Sequence, residues 1–208
     1  MSFSLRCNYK PLLFKKLLLL TCSPIFFVQL LCAQSSDSPL FEGPTYADVH
    51  RSINDKHKFI GSYDFVPAAI LYEGEWQLQL AAKYDAYQQQ LLLRHPRAEG
   101  APTIVVFTAL VSEFRLRNRR FVKLSSENEL FEIGFFEVLA EGPTTSLYKK
   151  HLKKIGRKQR DGLVYFEFKD KPTYLLKDNG VFSVLKKPKA PYLKALIQKI
   201  EASKTKLP

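Results

Sequence analysis

From residue 59 onward, the chain is a succession of short strand-like segments separated by turn signals, and this pattern strongly restricts the possible folds. The clearest segment covers residues 76–85, WQLQLAAKYD, in which apolar and polar side chains alternate. Its apolar side is formed by Trp76, Leu78, Leu80, Ala82 and Tyr84. An alternation with a period of two predicts a half-buried antiparallel strand. Turn signals such as Asp178-Asn179-Gly180 recur roughly every 8 to 14 residues.

The segments between these turns leave no room for the crossover helices that parallel strands need. We therefore predict a mainly β fold, an antiparallel meander of about ten strands. If such a sheet stayed flat it would expose both faces and two edges, so we expect it to curl into a barrel or half-barrel. A two-sheet sandwich is the next alternative.

One amphipathic helix is predicted at the C-terminal end, at about residues 190–203. The side chains spaced to share one helix face are Tyr192, Leu193, Leu196, Ile197 and Ile200. Pro191 suits the first turn of this helix, where its missing N–H group costs nothing. We expect the helix to pack on the sheet or to close the open end of a barrel, and a helix lying on a membrane surface is the alternative.

The first 33 residues have the pattern of an export signal. Arg6, Lys10, Lys15 and Lys16 precede an almost wholly apolar run at residues 17–31, and a small residue follows at Ala33. This order of a basic region, an apolar region and a small residue is typical of a secretory signal peptide. We predict cleavage near Ala33 and a mature protein located in the periplasm or outside the cell.

This interpretation divides the chain into a signal peptide (1–33), a flexible N-terminal segment (34–58) and a single β-rich domain (59–208). The N-terminal segment is polar and interrupted by proline and glycine, which is the reason for predicting flexibility there. All the cysteines, Cys7, Cys22 and Cys32, fall within the predicted signal. The exported chain is therefore expected to contain no disulfide and no cysteine-ligated metal.

The chain is basic, with a formal net charge of +12, and four of its positive charges lie in the predicted signal. After export, the available polyanions are lipid head groups, lipopolysaccharide and acidic glycans rather than nucleic acid. We therefore predict no nucleic-acid partner and expect an anionic lipid or lipopolysaccharide surface, or an acidic envelope protein. A charged surface that only maintains solubility is the alternative.

The strongest concentration of charge is the segment KKHLKKIGRKQR, residues 149–160. Its cations are Lys149, Lys150, Lys153, Lys154, Arg157, Lys158 and Arg160. Because Gly156 lies among them, we predict a hairpin tip with cations on both arms that could dock on anionic head groups. The alternative is a solvated loop whose charges discourage pairing between sheet edges.

Several aromatic motifs resemble those of a group of uncharacterised secreted β-rich proteins of Bacteroidota. The motifs are Tyr84-Asp85 after an alternating strand, Glu113-Phe114, the segment GFFEVLAEG at 134–142, and the segment at 174–186 before the final helix. The resemblance spans roughly residues 59–203. It implies secretion and a β-rich fold, and it implies no reaction, because the family has no known activity.

The sequence contains no motif that assigns a catalytic, cofactor-binding or metal-binding residue. His50, His57, His95 and His151 are scattered without ligand spacing and are interpreted as surface residues. The sequence has no Gly-x-Ser-x-Gly motif and no glycine-rich phosphate loop. We therefore predict a protein that is not an enzyme and has no cofactor.

One carboxylate stands out because of its surroundings. Glu137 lies in a segment whose two sides both look buried, and a buried carboxylate is costly unless it is paired. We predict a buried polar pair between Glu137 and the arginines of the segment EFRLRNRR, with Arg115 and Arg117 on the strand and Arg119 and Arg120 in the turn. Tyr84 is expected on the apolar face of its strand, and Asp85 is expected to accept N–H groups of the following turn.

These observations favour an exported envelope protein without enzymatic activity that binds a lipid or another apolar ligand in a curled sheet. One alternative is a protein–protein interaction module of an outer-membrane or secretion assembly. A second alternative is a hydrolase that uses a carboxylate pair, drawn from the acids around Glu137 and Glu167.

Overall fold

The computed structural model describes residues 38–50, 52, 55–96, 100–126 and 129–204. The predicted signal peptide lies outside these residues. Within them the chain forms antiparallel strands, two short 3-10 turns at Pro39–Phe41 and Thr108–Leu110, and one C-terminal helix, α1 (Ala190–Lys204). The predicted mainly β class and the C-terminal helix are confirmed.

Strands β1 to β6 are Val66–Tyr72, Glu75–Asp85, Gln90–Arg94, Thr103–Val105, Val111–Leu116 and Arg119–Leu124. Strands β7 to β12 are Gly134–Glu141, Thr145–Lys150, Lys153–Arg160, Leu163–Asp170, Thr173–Asp178 and Val181–Leu185. Ten of them form one sheet in the order β12-β11-β8-β7-β6-β5-β1-β2-β3-β4, and β9 pairs with β10 as a separate hairpin. All pairings are antiparallel.

The strand order departs from a simple meander in two places. After β4 the chain returns through the 3-10 turn at Thr108–Leu110, so that β5 pairs with β1 rather than with β4. The β9–β10 hairpin is inserted between β8 and β11, which pair directly with each other. Alternation within each strand predicts its two faces, but it carries no information about which strands become neighbours.

A bulge in β2 changes the face predicted for the start of that strand. Ala68 is opposite Leu80 while Ile70 is opposite Gln77, so β2 holds one extra residue there, and Gln79 has a φ of 57°. An extra residue in one strand reverses its alternation. Leu80, Ala82 and Tyr84 are buried as predicted, whereas Trp76 and Leu78 are exposed, which corrects their predicted position on the apolar face.

The main core lies on one face of a strongly curved sheet. The ring of Tyr84 on β2 stacks on Phe114 of β5 at 5.5 Å, and it lies 6.2 Å from Phe135 of β7, measured between ring centroids. Strands β2 and β7 are four places apart in the strand order. In a flat sheet they would be separated by about 19 Å. The sheet therefore bends around these rings, and we call the side on which they lie the concave face.

Two smaller clusters complete the core. Phe136, Tyr148 and Leu175 are buried together, and Phe136 follows Phe135 in β7, so this cluster lies on the opposite face of the sheet. The third cluster joins Ile200 of α1 to Ala140 and Leu147, with Leu193, Leu196 and Ile197 packed around it. The predicted packing of the helix on the sheet is confirmed for these residues, while Tyr192 is exposed. Within the described residues, no helix is both long enough and apolar enough to cross a membrane.

The folded part begins before residue 59, and this corrects the predicted flexibility of the segment 34–58 for its described residues, 38–50, 52 and 55–58. Leu40 and Phe41 are buried in the main core. Thr45 bridges to Ile104 of β4, and a Cβ at Gly43 would collide with the carbonyl oxygen of Val105. The segment looked flexible because it is polar, but a few apolar side chains and one close backbone approach are enough to attach it to the sheet.

Candidate functional site

At one end of the concave face, charged residues replace the aromatic core. The β6–β7 register places Phe121 opposite Glu137, and Arg119 lies two residues before Phe121 on the same face of β6. His151 follows directly after β8, whose residue Lys149 is opposite Glu137. The register of three neighbouring strands therefore brings Arg119, Glu137, Lys149 and His151 together.

Arg119, Glu137 and His151 form a hydrogen-bonded network. Arg119 donates from Nε to Glu137 Oε1 at 2.6 Å and from Nη2 to Oε2 at 2.8 Å, which is a bidentate pair. His151 Nε2 lies 2.6 Å from Glu137 Oε2 and 3.1 Å from Arg119 Nη2. Because an ionised carboxylate can only accept, Nε2 of His151 carries the proton that it donates to Glu137.

This network sets the charge state of its members. Burial by itself would raise the pKa of Glu137, but hydrogen bonds from Arg119 and His151 outweigh it and lower the pKa to about 2. Burial lowers the pKa of His151, its hydrogen bond to Glu137 opposes this, and the nearby Lys149 lowers it further. At neutral pH, Glu137 is therefore an anion, Arg119 is its counter-ion and His151 is neutral.

The network borders a cleft of about 380 Å³. The side chains that line it include His57, Phe59, Arg119, Lys149, His151 and Lys153, together with the acids Asp55 and Asp170. Asp170 is largely solvated, with 76 % of its side chain exposed, whereas Lys153 is mostly covered. The charges held closest to the protein interior are therefore mainly positive, apart from Glu137.

Lys153 and His57 form the second wall of the cleft. Lys153 Nζ donates to the backbone oxygen of His57 at 2.6 Å and lies 3.7 Å from Asp170 Oδ1. His57 Nδ1 accepts the backbone N–H of Phe59 at 3.2 Å, so the imidazole proton is on Nε2. Burial, and next the charge of Lys153, lower the pKa of His57, and burial also lowers the pKa of Lys153.

The buried pair predicted for Glu137 exists, but its arginine partner is Arg119 rather than Arg115 or Arg117. Arg115 is exposed on the opposite face of β5, where it lies 3.4 Å from Glu113 and over the ring of Trp76. Arg117 is an exposed residue of the β5–β6 turn with a φ of 54°. Arg119 instead begins β6 on the concave face, because the turn between the strands is only two residues long.

The predicted basic cluster is divided among three environments. Lys149 and Lys153 line the cleft, and Lys150 is buried on the opposite face, where its Nζ donates to the backbone oxygens of Glu132 and Ile133. Lys154, Arg157, Lys158 and Arg160 are exposed on β9. Gly156 is inside β9, opposite Glu167, and the hairpin turn is Asp161-Gly162, which corrects the predicted tip.

A second buried carboxylate, Asp85, closes the end of β2. Its Oδ1 accepts the backbone N–H groups of Tyr87 and Gln88, both at 2.9 Å, as predicted. Its Oδ2 accepts the hydroxyl of Tyr46 at 2.8 Å and lies 3.8 Å from Nζ of Lys58. Burial, and next the charge of Asp85, raise the pKa of Tyr46. Asp85 is thus used to hold a turn and the N-terminal segment.

His57 and His151 are the cleft residues that sequence reasoning missed, since both were interpreted as surface histidines. They are 94 positions apart in a chain whose strand order is not sequential, so no spacing rule could join them. The one usable signal was Glu137 itself, because a carboxylate in an apolar strand requires partners.

Comparisons with known protein families, with curated proteins and with solved structures found no match for this chain. The resemblance to secreted Bacteroidota proteins therefore stays a prediction. Among the described residues, no group of three or more histidine, cysteine, aspartate or glutamate side chains is arranged to hold a metal ion.

Proposed function

We propose that this chain is an exported, non-enzymatic protein of the cell envelope that docks on anionic membrane lipids through the β9–β10 hairpin. The observation that carries the proposal is the outer half of this hairpin. All the residues from 157 to 164 are exposed, and among the strands of the described residues β9 pairs only with β10. The two-residue turn Asp161-Gly162, with both φ angles positive, closes the hairpin tightly.

The exposed hairpin combines positive charge with aliphatic side chains. Lys154, Arg157, Lys158 and Arg160 are exposed on β9, and Asp161 is the acid next to them, 3.4 Å from Arg160. Leu163, directly opposite Arg160, is 64 % exposed, and Val164 is exposed beside it. Cations that bind head groups and aliphatic side chains that enter the acyl boundary are the combination that interfacial membrane binding uses.

The expected energy is sufficient for reversible docking. A cation near an anionic leaflet contributes about 1 kcal/mol. Four cations and one opposing acid would then give about 3 kcal/mol, or roughly a 100-fold gain in partitioning. Partial insertion of Leu163 and Val164 adds a contribution that salt does not screen.

The structure gives less support to an apolar cargo or to carboxylate hydrolysis. The concave face is filled by Tyr84, Phe114 and Phe121, all nearly inaccessible to solvent. Glu137, with a pKa of about 2, holds no proton to donate at neutral pH, and Asp170 is mostly exposed. We therefore favour a protein that binds at its surface over a carrier with an apolar interior.

We also propose that the ten-stranded sheet is a half-barrel whose open side carries the cleft. The 6.2 Å approach of the Tyr84 and Phe135 rings supports this curvature. So does a backbone bond from Lys153 N–H to the oxygen of Ala86, which links the start of β9 to the β2–β3 turn. A half-barrel leaves the β9–β10 hairpin free to extend from the rim.

Vesicle sedimentation tests the docking. The protein should bind vesicles of phosphatidylcholine with about 30 % phosphatidylglycerol, and bind pure phosphatidylcholine much less. Replacing Lys154, Arg157, Lys158 and Arg160 by glutamine removes about 4 kcal/mol and should weaken this binding roughly 1,000-fold. The matched control replaces Lys186, Lys187, Lys189 and Lys194, which are exposed near α1, and it should lose far less.

The aliphatic contribution has its own variant pair. Leu163→Ser should reduce the binding that survives at roughly 0.5 M salt, where charge attraction is screened. Val181→Ser is the control, because Val181 is 71 % exposed but lies on β12. Equal losses in the hairpin and control variants would refute a specific docking element. Failure of the unmodified protein to bind anionic vesicles would refute membrane docking and leave an acidic envelope protein as the partner to seek.

Export is tested separately by producing the full chain in a Gram-negative host. A mature protein that begins at Gln34 and is recovered from the periplasm would support the predicted signal, while an intact N-terminus in the cytoplasm would refute it.

A further inference from the structure

The cleft beside Arg119 contains cations that the protein does not neutralise internally. Among the described residues, no carboxylate lies within ion-pair distance of Lys149, whose Nζ instead lies 5.9 Å from the ring centroid of Tyr174. Lys149 is half-buried, so its ammonium is only partly hydrated. A half-buried cation without a counter-ion favours the binding of an anion.

The carboxylates near the cleft do not neutralise the charge of Lys149. Glu137 is paired with Arg119 through two hydrogen bonds, so its charge is already compensated at the base of the cleft. Lys153 has a carboxylate only at 3.7 Å, and that carboxylate, Asp170, is mostly in water and therefore screened. Asp55 also lines the cleft, but it is an exposed residue, so water screens its charge as well. The charges of the cleft that are least exposed to water, apart from the Arg119–Glu137 pair, are therefore those of Lys149 and Lys153.

The cleft also offers several hydrogen-bond donors in one place. Arg119 binds Glu137 through Nε and Nη2, which leaves Nη1 outside that pair. Lys149 has three N–H donors, and His57 Nε2 carries a proton because its Nδ1 accepts from Phe59. A guanidinium, ammonium groups and an imidazole N–H around a small volume match a tetrahedral oxyanion, which accepts hydrogen bonds on every side.

We propose that this cleft binds the phosphate of a phosphomonoester, with Lys149, Lys153 and Arg119 as its charged contacts and His57 as a neutral donor. The cleft volume of about 380 Å³ exceeds what a phosphate group alone fills, so part of the esterified molecule would enter with it. The phosphomonoester could belong to a soluble metabolite or to a lipid head group, and the chemistry at the phosphate is the same. The inference is independent of the β9–β10 hairpin, because none of the exposed hairpin cations lines the cleft.

Calorimetric titration of the mature protein with glycerol 3-phosphate tests this site. Saturable binding is expected, and Lys149→Gln should weaken it by about tenfold or more. The matched control is Lys194→Gln on α1, which removes an equal charge from an exposed position and should leave the affinity unchanged. Lys149→Gln is preferred to Lys153→Gln because Lys153 also bonds the backbone of His57 and contributes to folding.

Each outcome of the titration is decisive. Absence of saturable binding, or equal weakening by both variants, would overturn the site. Dihexanoyl phosphatidic acid, a soluble phosphomonoester with short acyl chains, distinguishes the two sources of the phosphate. A much higher affinity for it than for glycerol 3-phosphate would assign a lipid head group, and equal affinities would assign a soluble ester. If the unmodified protein binds both ligands, and Lys149→Gln still docks on anionic vesicles as the unmodified protein does, the cleft is a site separate from the hairpin surface.

Discussion

Two buried carboxylates with cationic partners, Asp85 and Glu137, differ in what lies beside them. Asp85 is 0 % exposed, and its partners are backbone N–H groups, the Tyr46 hydroxyl and Lys58. Glu137 is 8 % exposed, and its partners Arg119 and His151 line an open cleft. A carboxylate with cationic partners is thus closed off from solvent at the end of β2, whereas in β7 the partners of such a carboxylate face an open cleft.

The difference shows how an ion pair that only stabilises the fold can be distinguished from one that belongs to a candidate binding site. Asp85 receives donors from its own turn and from the N-terminal segment, so its role is fulfilled within the fold. The Glu137 network instead fixes the orientation of Arg119 and His151 at the wall of a cleft where Lys149 has no described counter-ion. Loss of Asp85 should therefore affect stability most, and changes near Glu137 should affect stability less and ligand binding more.

Removal of the Asp85 carboxylate should cause the largest effect. Asp85→Ala leaves the buried Lys58 and two turn N–H groups without this acceptor, which should lower the free energy of unfolding by about 3–5 kcal/mol. Asp85→Asn keeps an acceptor for the turn and should lose less. Urea denaturation measures both, with Asp170→Asn as an exposed control expected to change stability by less than about 0.5 kcal/mol. Similar small losses in all three variants would contradict the structural role of Asp85.

Glu137→Gln should destabilise the protein at pH 7 by about 2–3 kcal/mol, and this difference should disappear in acid. The folded-state pKa of about 2 lies below the ordinary value of 4.5, so ionised Glu137 contributes its full stability above about pH 4.5 and loses it as the pH falls toward 2. Denaturant curves of both proteins from neutral pH to about pH 2 would show the two converging. A constant difference across that range would mean that Glu137 is not stabilised as an anion.

The two cleft histidines should produce a pH dependence at milder acidity. The pKa values of His57 and His151 are both lowered by burial, so the unfolded chain takes up protons first as the pH falls below 6.5. Folded stability should then decrease by at most about 1.4 kcal/mol per pH unit for each histidine. His151→Asn should reduce the change in the free energy of unfolding between about pH 7 and pH 5. Lys158→Gln, a substitution at an exposed position of β9, should leave that change as it is. A rise in stability with acidification would show that His151 is stabilised in its charged form.

The fold class was predictable because alternation and turn residues are local signals. The strands, the tight turn at Asn179-Gly180 and the helix at Ala190–Lys204 all follow from neighbours in the sequence. The bulge at Gln79 was not predictable, because a glutamine at positive φ carries no distinctive pattern, and its effect was to expose Trp76 and Leu78. The pairing of β5 with β1 depends on contacts between distant segments, which local patterns do not encode.

Of the candidate site, only the buried ion pair of Glu137 could be predicted from the sequence. An acid between phenylalanine and valine in β7 indicated a buried pair, and the pair is present. The choice of Arg119 over Arg115 depends on a turn of two residues, since a one-residue shift reverses the face of every following side chain. The same sensitivity placed Lys149 in the cleft and Lys150 on the other face, although the two look equivalent in sequence.

The smallest expected stability effect tests the comparison most sharply. Lys149→Met removes a cation with no described carboxylate partner, and its aliphatic chain is replaced by one of similar size. The free energy of unfolding should change by less than about 0.5 kcal/mol. Lys58→Met is the counterpart at the enclosed site, and it should be strongly destabilising because Asp85 and Asp48 lose their shared cation. If the two substitutions lower the free energy of unfolding equally, the ammonium of Lys149 stabilises the fold through a partner within the protein. Its charge would then not be available to bind an anionic ligand in the cleft.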